Sequence, residues 1–167
     1  MGKGRRAPKA VWVGHNLTLM ENCQGAVRLE MASLERFLRR TNREIGLSGD
    51  AAFVRFVTDA EMARLNGKFR KRVRSTDVLS FPSEERTRPA RMRVRVRSLR
   101  GKFLGDIAIS PGVARRNAKL SGRSLSDEIC ILLLHGLLHL LGYDHETDRG
   151  EMERMEAKLR QRLGLAQ

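Results

Sequence analysis

Aromatic side chains are scarce in this chain. One Trp and one Tyr among 167 residues give no row of ring faces on which successive bases of a single strand could stack. Cysteine is scarce as well. Cys23 and Cys130 form no C-x-x-C pair, so they read as reduced thiols of a cytosolic protein, with Cys130 on an apolar run and therefore a core candidate. No apolar stretch approaches the roughly 20 residues that span a bilayer, which excludes a membrane-crossing helix. The first nine residues are basic, but no continuous apolar segment follows them, so they do not read as a signal peptide. Acidic residues are outnumbered: 33 Lys and Arg against 19 Asp and Glu leave a net charge of +14.

That excess points to a polyanionic partner, because cations placed on phosphates release condensed counterions. Arginine heavily outnumbers lysine, which suits forked contact to phosphate oxygens. With few rings to stack on, recognition would run mainly along the backbone of a nucleic acid. A basic surface that only keeps the protein soluble is the plainer alternative.

The length fits one domain with a single core, and 41% hydrophobic with 31% charged residues is a globular composition. Residues 1–9 read as a basic tail and 10–167 as the domain. A first strand is expected over 10–19, anchored by Trp12. Over 25–44, Val27, Met31, Leu34, Phe37 and Leu38 recur at helical spacing, with arginines on the other faces. An apolar strand follows over 51–57. Thr58 and Glu61 form a capping box that opens a short helix, expected to stop near Asn66-Gly67. A strand over 78–81 is closed by Pro82, which a central strand would not accept, while Thr76 and Asp77 fix the turn before it. Residues 91–97 alternate strictly, placing Arg91, Arg93, Arg95 and Arg97 on one strand face. That ladder is either a rail for phosphates or an edge charged against aggregation.

Another strand is expected over 103–109, with a bulge or close approach at Gly105-Asp106. Ser110 caps the next helix and Pro111 takes its first position. A long apolar helix opens at Ser126 or Asp127, and Met152, Met155, Leu159 and Leu163 mark a last amphipathic helix. The order implies an α+β fold, a mixed sheet of about four strands packed against helices, with one buried helix bearing histidines.

On that buried helix lies the run His135-Gly-Leu-Leu-His139-Leu-Leu-Gly-Tyr-Asp-His145, which holds three of the four histidines. Four residues of helix separate His135 from His139 by about 40° of rotation and about 6 Å of rise, so both rings share a face. Gly142 is placed to end the helix in a left-handed turn and bring His145 back to the same point. Three imidazoles buried without partners would cost several kcal/mol, whereas three nitrogen donors with one open position describe a catalytic Zn²⁺ site; another divalent transition metal would also fit. His15, far from this run, reads as a satisfied core or boundary histidine, or as a simply exposed one. The spacing resembles the zinc-protease pattern H-E-x-x-H-x-x-G-x-x-H, but Gly136 stands where that chemistry needs its glutamate base. Peptidase activity by that mechanism is therefore disfavoured.

Three motifs in matching order resemble the YbeY family: HGLLHLLGYDH, the run Leu65-Asn-Gly-Lys-Phe-Arg70 followed by Ser75-Thr-Asp-Val-Leu-Ser-Phe-Pro82, and Leu104-Gly-Asp-Ile-Ala-Ile-Ser110. The resemblance implies a metal-dependent endoribonuclease acting on single-stranded RNA, in ribosomal RNA maturation at the small-subunit 3′ end and in ribosome quality control. It also implies a cytoplasmic protein whose partner is ribosomal RNA or the small subunit. Carried over residue by residue, it sets Arg70 beside the metal, where a guanidinium would hold the scissile phosphate. The remaining RNA-binding candidates are Lys68, Arg72, Arg74 and the arginine ladder, about which the resemblance is silent. Asp144, next to a ligand, would either orient His139 or His145 or shape the turn. A rival reading is an RNA- or ribosome-binding assembly factor with a purely structural metal, which calls for a fourth protein ligand. Oligomeric state is not legible.

Overall fold

The computed structural model describes residues 20–47, 51–70, 75–83 and 103–165. The basic tail, the strand expected over 10–19 with Trp12 and His15, Arg72, Arg74 and the ladder Arg91, Arg93, Arg95 and Arg97 lie outside the described residues.

Four strands form one sheet: β1 (Met20–Asn22), β2 (Ala52–Phe56), β3 (Val78–Pro82) and β4 (Gly105–Ile109). The order across it is β1-β2-β4-β3, with β3 antiparallel to β4 and the other pairs parallel. This is the mixed sheet the sequence implied. All five residues of β4 are buried, as expected of a central strand covered on both faces. Its alternation assigns the two sides. Ile107 and Ile109 pack with α1 (Met31–Ile45) and α4 (Leu125–Leu140), while Ala108 joins Leu79 and Phe81 of β3 against α2 (Asp59–Arg70). Two layers of helix therefore sandwich the sheet. Pro82 ends β3 opposite Gly105 on the sheet's edge, where its missing N–H is tolerated. Gly105 has φ +143, and a Cβ there would collide with the Phe81 carbonyl, so the close approach expected at this position is what excludes a side chain.

Local boundaries differ from the sequence reading most clearly at three helix ends. The first helix begins at Met31, not near residue 25, because the buried Gln24 amide takes both backbone groups of Val27: its Oε1 accepts from the Val27 N–H and its Nε2 donates to the Val27 carbonyl, each at 2.8 Å. Those groups are then lost to the helix. The second helix does not stop at Asn66-Gly67 but continues to Arg70. Phe69 anchors the extra turn, its ring edge-on to Phe81 with centroids 5.1 Å apart, and that packing outweighs the roughly 1 kcal/mol cost of an interior glycine. The histidine helix starts at Leu125, capped by Ser124, whose Oγ accepts from the Asp127 N–H. Asp127 is thus the first-turn acid rather than the cap.

Other expectations hold. Thr58 Oγ1 accepts from the Glu61 N–H, although the Glu61 carboxylate turns to Arg64 instead of closing the box. Ser110 caps α3 (Pro111–Leu120) with Pro111 in its first turn. Met152, Leu159 and Leu163 are the buried face of α5 (Glu151–Leu163). Cys130 is buried, and burial pushes its thiol up to about 12, which makes it inert core. No helix among the described residues is long and apolar enough to cross a membrane.

Candidate metal centre

Almost every residue of α4 between Glu128 and Leu140 is buried; the two that are not are His135 and His139. They open the helix to a cavity of about 300 Å³ at the edge of the sheet, lined by Asn66 and Arg70 of α2, the segment Thr76 to Ser80, and His135, His139, His145 and Glu146. The helix can approach β3 and β4 this closely because of Gly136. A Cβ there would meet Ile107 and the Ser80 hydroxyl, and Ser80 Oγ donates to the Gly136 carbonyl at 3.0 Å. The position that a zinc protease fills with glutamate is therefore pressed against the sheet, with no room for a carboxylate.

The helix ends in a double hydrogen bond around a left-handed glycine. Gly142 (φ +93) donates to the His139 carbonyl and Tyr143 to the Leu138 carbonyl, a Schellman arrangement. Asp144 then builds the returning turn. Its carboxylate accepts from the Glu146 N–H and the Thr147 hydroxyl, and its carbonyl accepts from the N–H groups of Thr147 and Asp148. Of the two roles considered for Asp144, shaping the turn is the one its oxygens perform. Asp148 fastens the far end, accepting from the N–H groups of Gly150, Glu151 and Met152. Between these two anchored aspartates, His145 is carried back to the helix.

The three rings close on one point. Their centroids lie 4.7, 5.4 and 5.2 Å apart, and one nitrogen from each falls within 4.8 Å of the others. Nε2 of His135 and Nε2 of His139 are 3.1 Å apart. Two nitrogens at about 2.0–2.1 Å from a tetrahedral Zn²⁺ would be about 3.3 Å apart, so the pair is already near the spacing that a shared ion imposes. Burial, followed by the charges of His135 and His145, lowers His139 to about 4. Its ring is neutral at physiological pH, the state in which imidazole can ligate. The donors fit a divalent transition metal, and among the described residues this group of three is the one that could hold an ion.

Arg70 stands on the last turn of α2 rather than in a loop, exposed and lining the same cavity as the histidines. Its charge reaches His139 strongly enough to contribute to that lowered pKa. Lys68 is exposed on the same turn, with its ammonium 5.2 Å from the Phe69 ring centroid, and does not line the cavity. Thr76 and Asp77 do line it while fixing the turn, as expected: Asp77 accepts from the Val78 N–H and from Asn117 Nδ2. Two participants escaped the sequence reading. Asn66 was read as part of a helix-stopping pair and of a family motif but given no role, yet it lines the cavity wall. Glu156, on α5, lies 2.9 Å from Nδ1 of His135. Burial works to raise its pKa, but the His135 ring and Arg160 outweigh this and hold it below the usual carboxylate range. No local signal marks Glu156, because only the docking of α5 on α4 brings it there.

Against known proteins, residues 21–164 match the family described as Endoribonuclease YbeY. Proteins named Endoribonuclease YbeY are 46% identical in Solibacter usitatus, over 82% of this chain and 82% of the relative, and 39% identical in Sulfurovum sp., over 90% and 93%. The solution structure of TM1509 from Thermotoga maritima superposes with a TM-score of 0.56 at 26% identity, covering 86% of this chain and 87% of that one.

Proposed function

Because this chain belongs to the Endoribonuclease YbeY family, we propose that it is a cytoplasmic, zinc-dependent endoribonuclease that cleaves single-stranded ribosomal RNA, at the 3′ end of the small-subunit RNA and in ribosome quality control. His135, His139 and His145 hold the ion. When bound, the ion supplies Lewis acidity, polarising a phosphate oxygen and making water nucleophilic near neutral pH. Arg70 forks onto the non-bridging oxygens of the scissile phosphate and neutralises the charge that grows on them. The small cavity takes one linkage of a strand passing over it. The arginine-rich surface holds the flanking phosphates, with Lys68, Arg72, Arg74 and the ladder Arg91, Arg93, Arg95 and Arg97 as its candidates.

The observation that carries this reading is the convergence of three histidine nitrogens and Arg70 on one cavity. A structural metal would need a fourth protein ligand. Among the described residues the metal-binding group stops at three, which favours an open catalytic position over an assembly factor with a closed site. A metalloprotease is disfavoured by the packing at Gly136.

End-labelled single-stranded RNA incubated with zinc-loaded protein, beside an identically purified His139→Ala, tests the proposal. Cuts by the wild type that the variant does not make are expected. Intact RNA in both, with binding retained, would favour the assembly factor. The product ends also identify the nucleophile, since attack by the neighbouring 2′-hydroxyl leaves a 2′,3′-cyclic phosphate and attack by water does not.

A further inference from the structure

His135 touches the cavity with one nitrogen and the C-terminal helix with the other. Its Nδ1 lies 2.9 Å from Glu156 Oε2, and the second oxygen of Glu156 accepts from Arg160 Nη2, also at 2.9 Å. Neither Glu156 nor Arg160 lines the cavity, and both side chains are largely withdrawn from solvent. Helix α5 is docked on α4 by Leu134, Leu138, Met152, Leu159 and Leu163, so its packing fixes how far the carboxylate stands from the ring.

We propose that Glu156 is the positioning residue of the metal centre. A carboxylate oxygen 2.9 Å from Nδ1 accepts the hydrogen bond there, so of the two His135 tautomers it selects the one with its proton on Nδ1. Nε2 then carries a lone pair, aimed at the point it shares with His139. Arg160, one turn along the same helix, occupies the other carboxylate oxygen and prevents Glu156 from turning away. The effect is to choose the ligating nitrogen and fix the ring plane before any ion arrives, as a carboxylate behind a metal-bound histidine does. The C-terminal helix thereby becomes part of the metal centre without contributing a ligand. This inference rests on the reading of the three histidines as a metal site.

The test titrates Zn²⁺ into metal-free protein against a competing chelator, for the wild type, Glu156→Gln, Glu156→Ala, Arg160→Gln and His139→Ala. Nitrogen chemical shifts of the His135 imidazole, recorded without metal, report its tautomer. Glu156→Ala is expected to weaken Zn²⁺ about 10- to 100-fold and to release the Nδ1–H tautomer into a mixture. Glu156→Gln keeps the shape but can present an N–H to Nδ1, so it should also lose affinity; it carries the test if the alanine variant does not fold. Arg160→Gln should have the smallest effect. Zn²⁺ affinity within twofold of wild type in a folded Glu156→Gln, with His135 still protonated on Nδ1, would overturn the inference while leaving the metal site intact. Absence of Zn²⁺ binding by the wild type would overturn both.

Discussion

Helices α4 and α2 bring their functional side chains to one cavity under opposite physical conditions. From Glu128 to its end α4 is buried, and His135 and His139 are the two half-open positions in that stretch. α2 buries Met62, Leu65 and Asn66 but leaves Lys68 and Arg70 of its last turn exposed. A metal site needs ligands held to a few tenths of an ångström, and a rigid, packed helix supplies that. A phosphate on a passing strand needs a long, charged side chain that can reach it, and an exposed helix end supplies that. On the proposed reading, rigidity lies where coordination needs it, and reach where the substrate arrives.

The largest effect should come from the rigid side. His139→Ala removes one of the three proposed ligands and is expected to abolish stoichiometric Zn²⁺ binding and lower cleavage by at least about 10³-fold, read by metal analysis and RNA cleavage on the same preparation. Gly136→Glu probes the packing behind those ligands. With Ile107 and Ser80 where the side chain must go, it should cost more than about 3 kcal/mol by overpacking and by burying a charge. Urea denaturation would measure this, and no peptidase activity should appear.

On the exposed side, Arg70→Ala should reduce kcat/KM about 10²- to 10³-fold, equivalent to about 2.7–4 kcal/mol of transition-state stabilisation, while Zn²⁺ stoichiometry stays at the wild-type value. A parallel loss of metal would erase the distinction between the two helices. The smallest effect concerns the clamp that holds α2 in place. Asp59 accepts from the Ser110 hydroxyl (2.5 Å) and from Arg116 (2.7 Å), and these contacts outweigh burial to lower its pKa. Being partly exposed, it should contribute only about 0.5–1.5 kcal/mol, measured as the stability difference from Asp59→Asn. A depressed carboxyl pKa stabilises the fold above the unfolded-state value and loses that contribution as the pH falls through the folded-state value. The two proteins should therefore converge in acid, below the ordinary carboxylate range.

The same contrast explains what could be read from sequence. The three histidines lie within one helix and the turn behind it, so helical geometry and one glycine were enough to bring them together. The order of elements was legible for the same reason: alternation, Ser110-Pro111 and the strand end at Pro82 are local signals. Arg70 came from a motif resemblance, and reading a helix stop at Asn66-Gly67 put it in a loop. What extends the helix is Phe69 against Phe81, a contact between elements that no window of sequence contains. Gln24, which displaces the start of α1, acts through a short loop closure that helical periodicity does not register. Glu156 is the furthest from local legibility, because α5 must dock before its carboxylate finds His135.

The central claim is that one ion at the three histidines makes this protein a nuclease. The direct measurement is cleavage of a single-stranded RNA as metal-free protein is titrated with Zn²⁺. Activity should rise with added metal and break at about one equivalent per chain, with no rise in His139→Ala. Cleavage that is unchanged by metal, or equal in His139→Ala, would contradict the account.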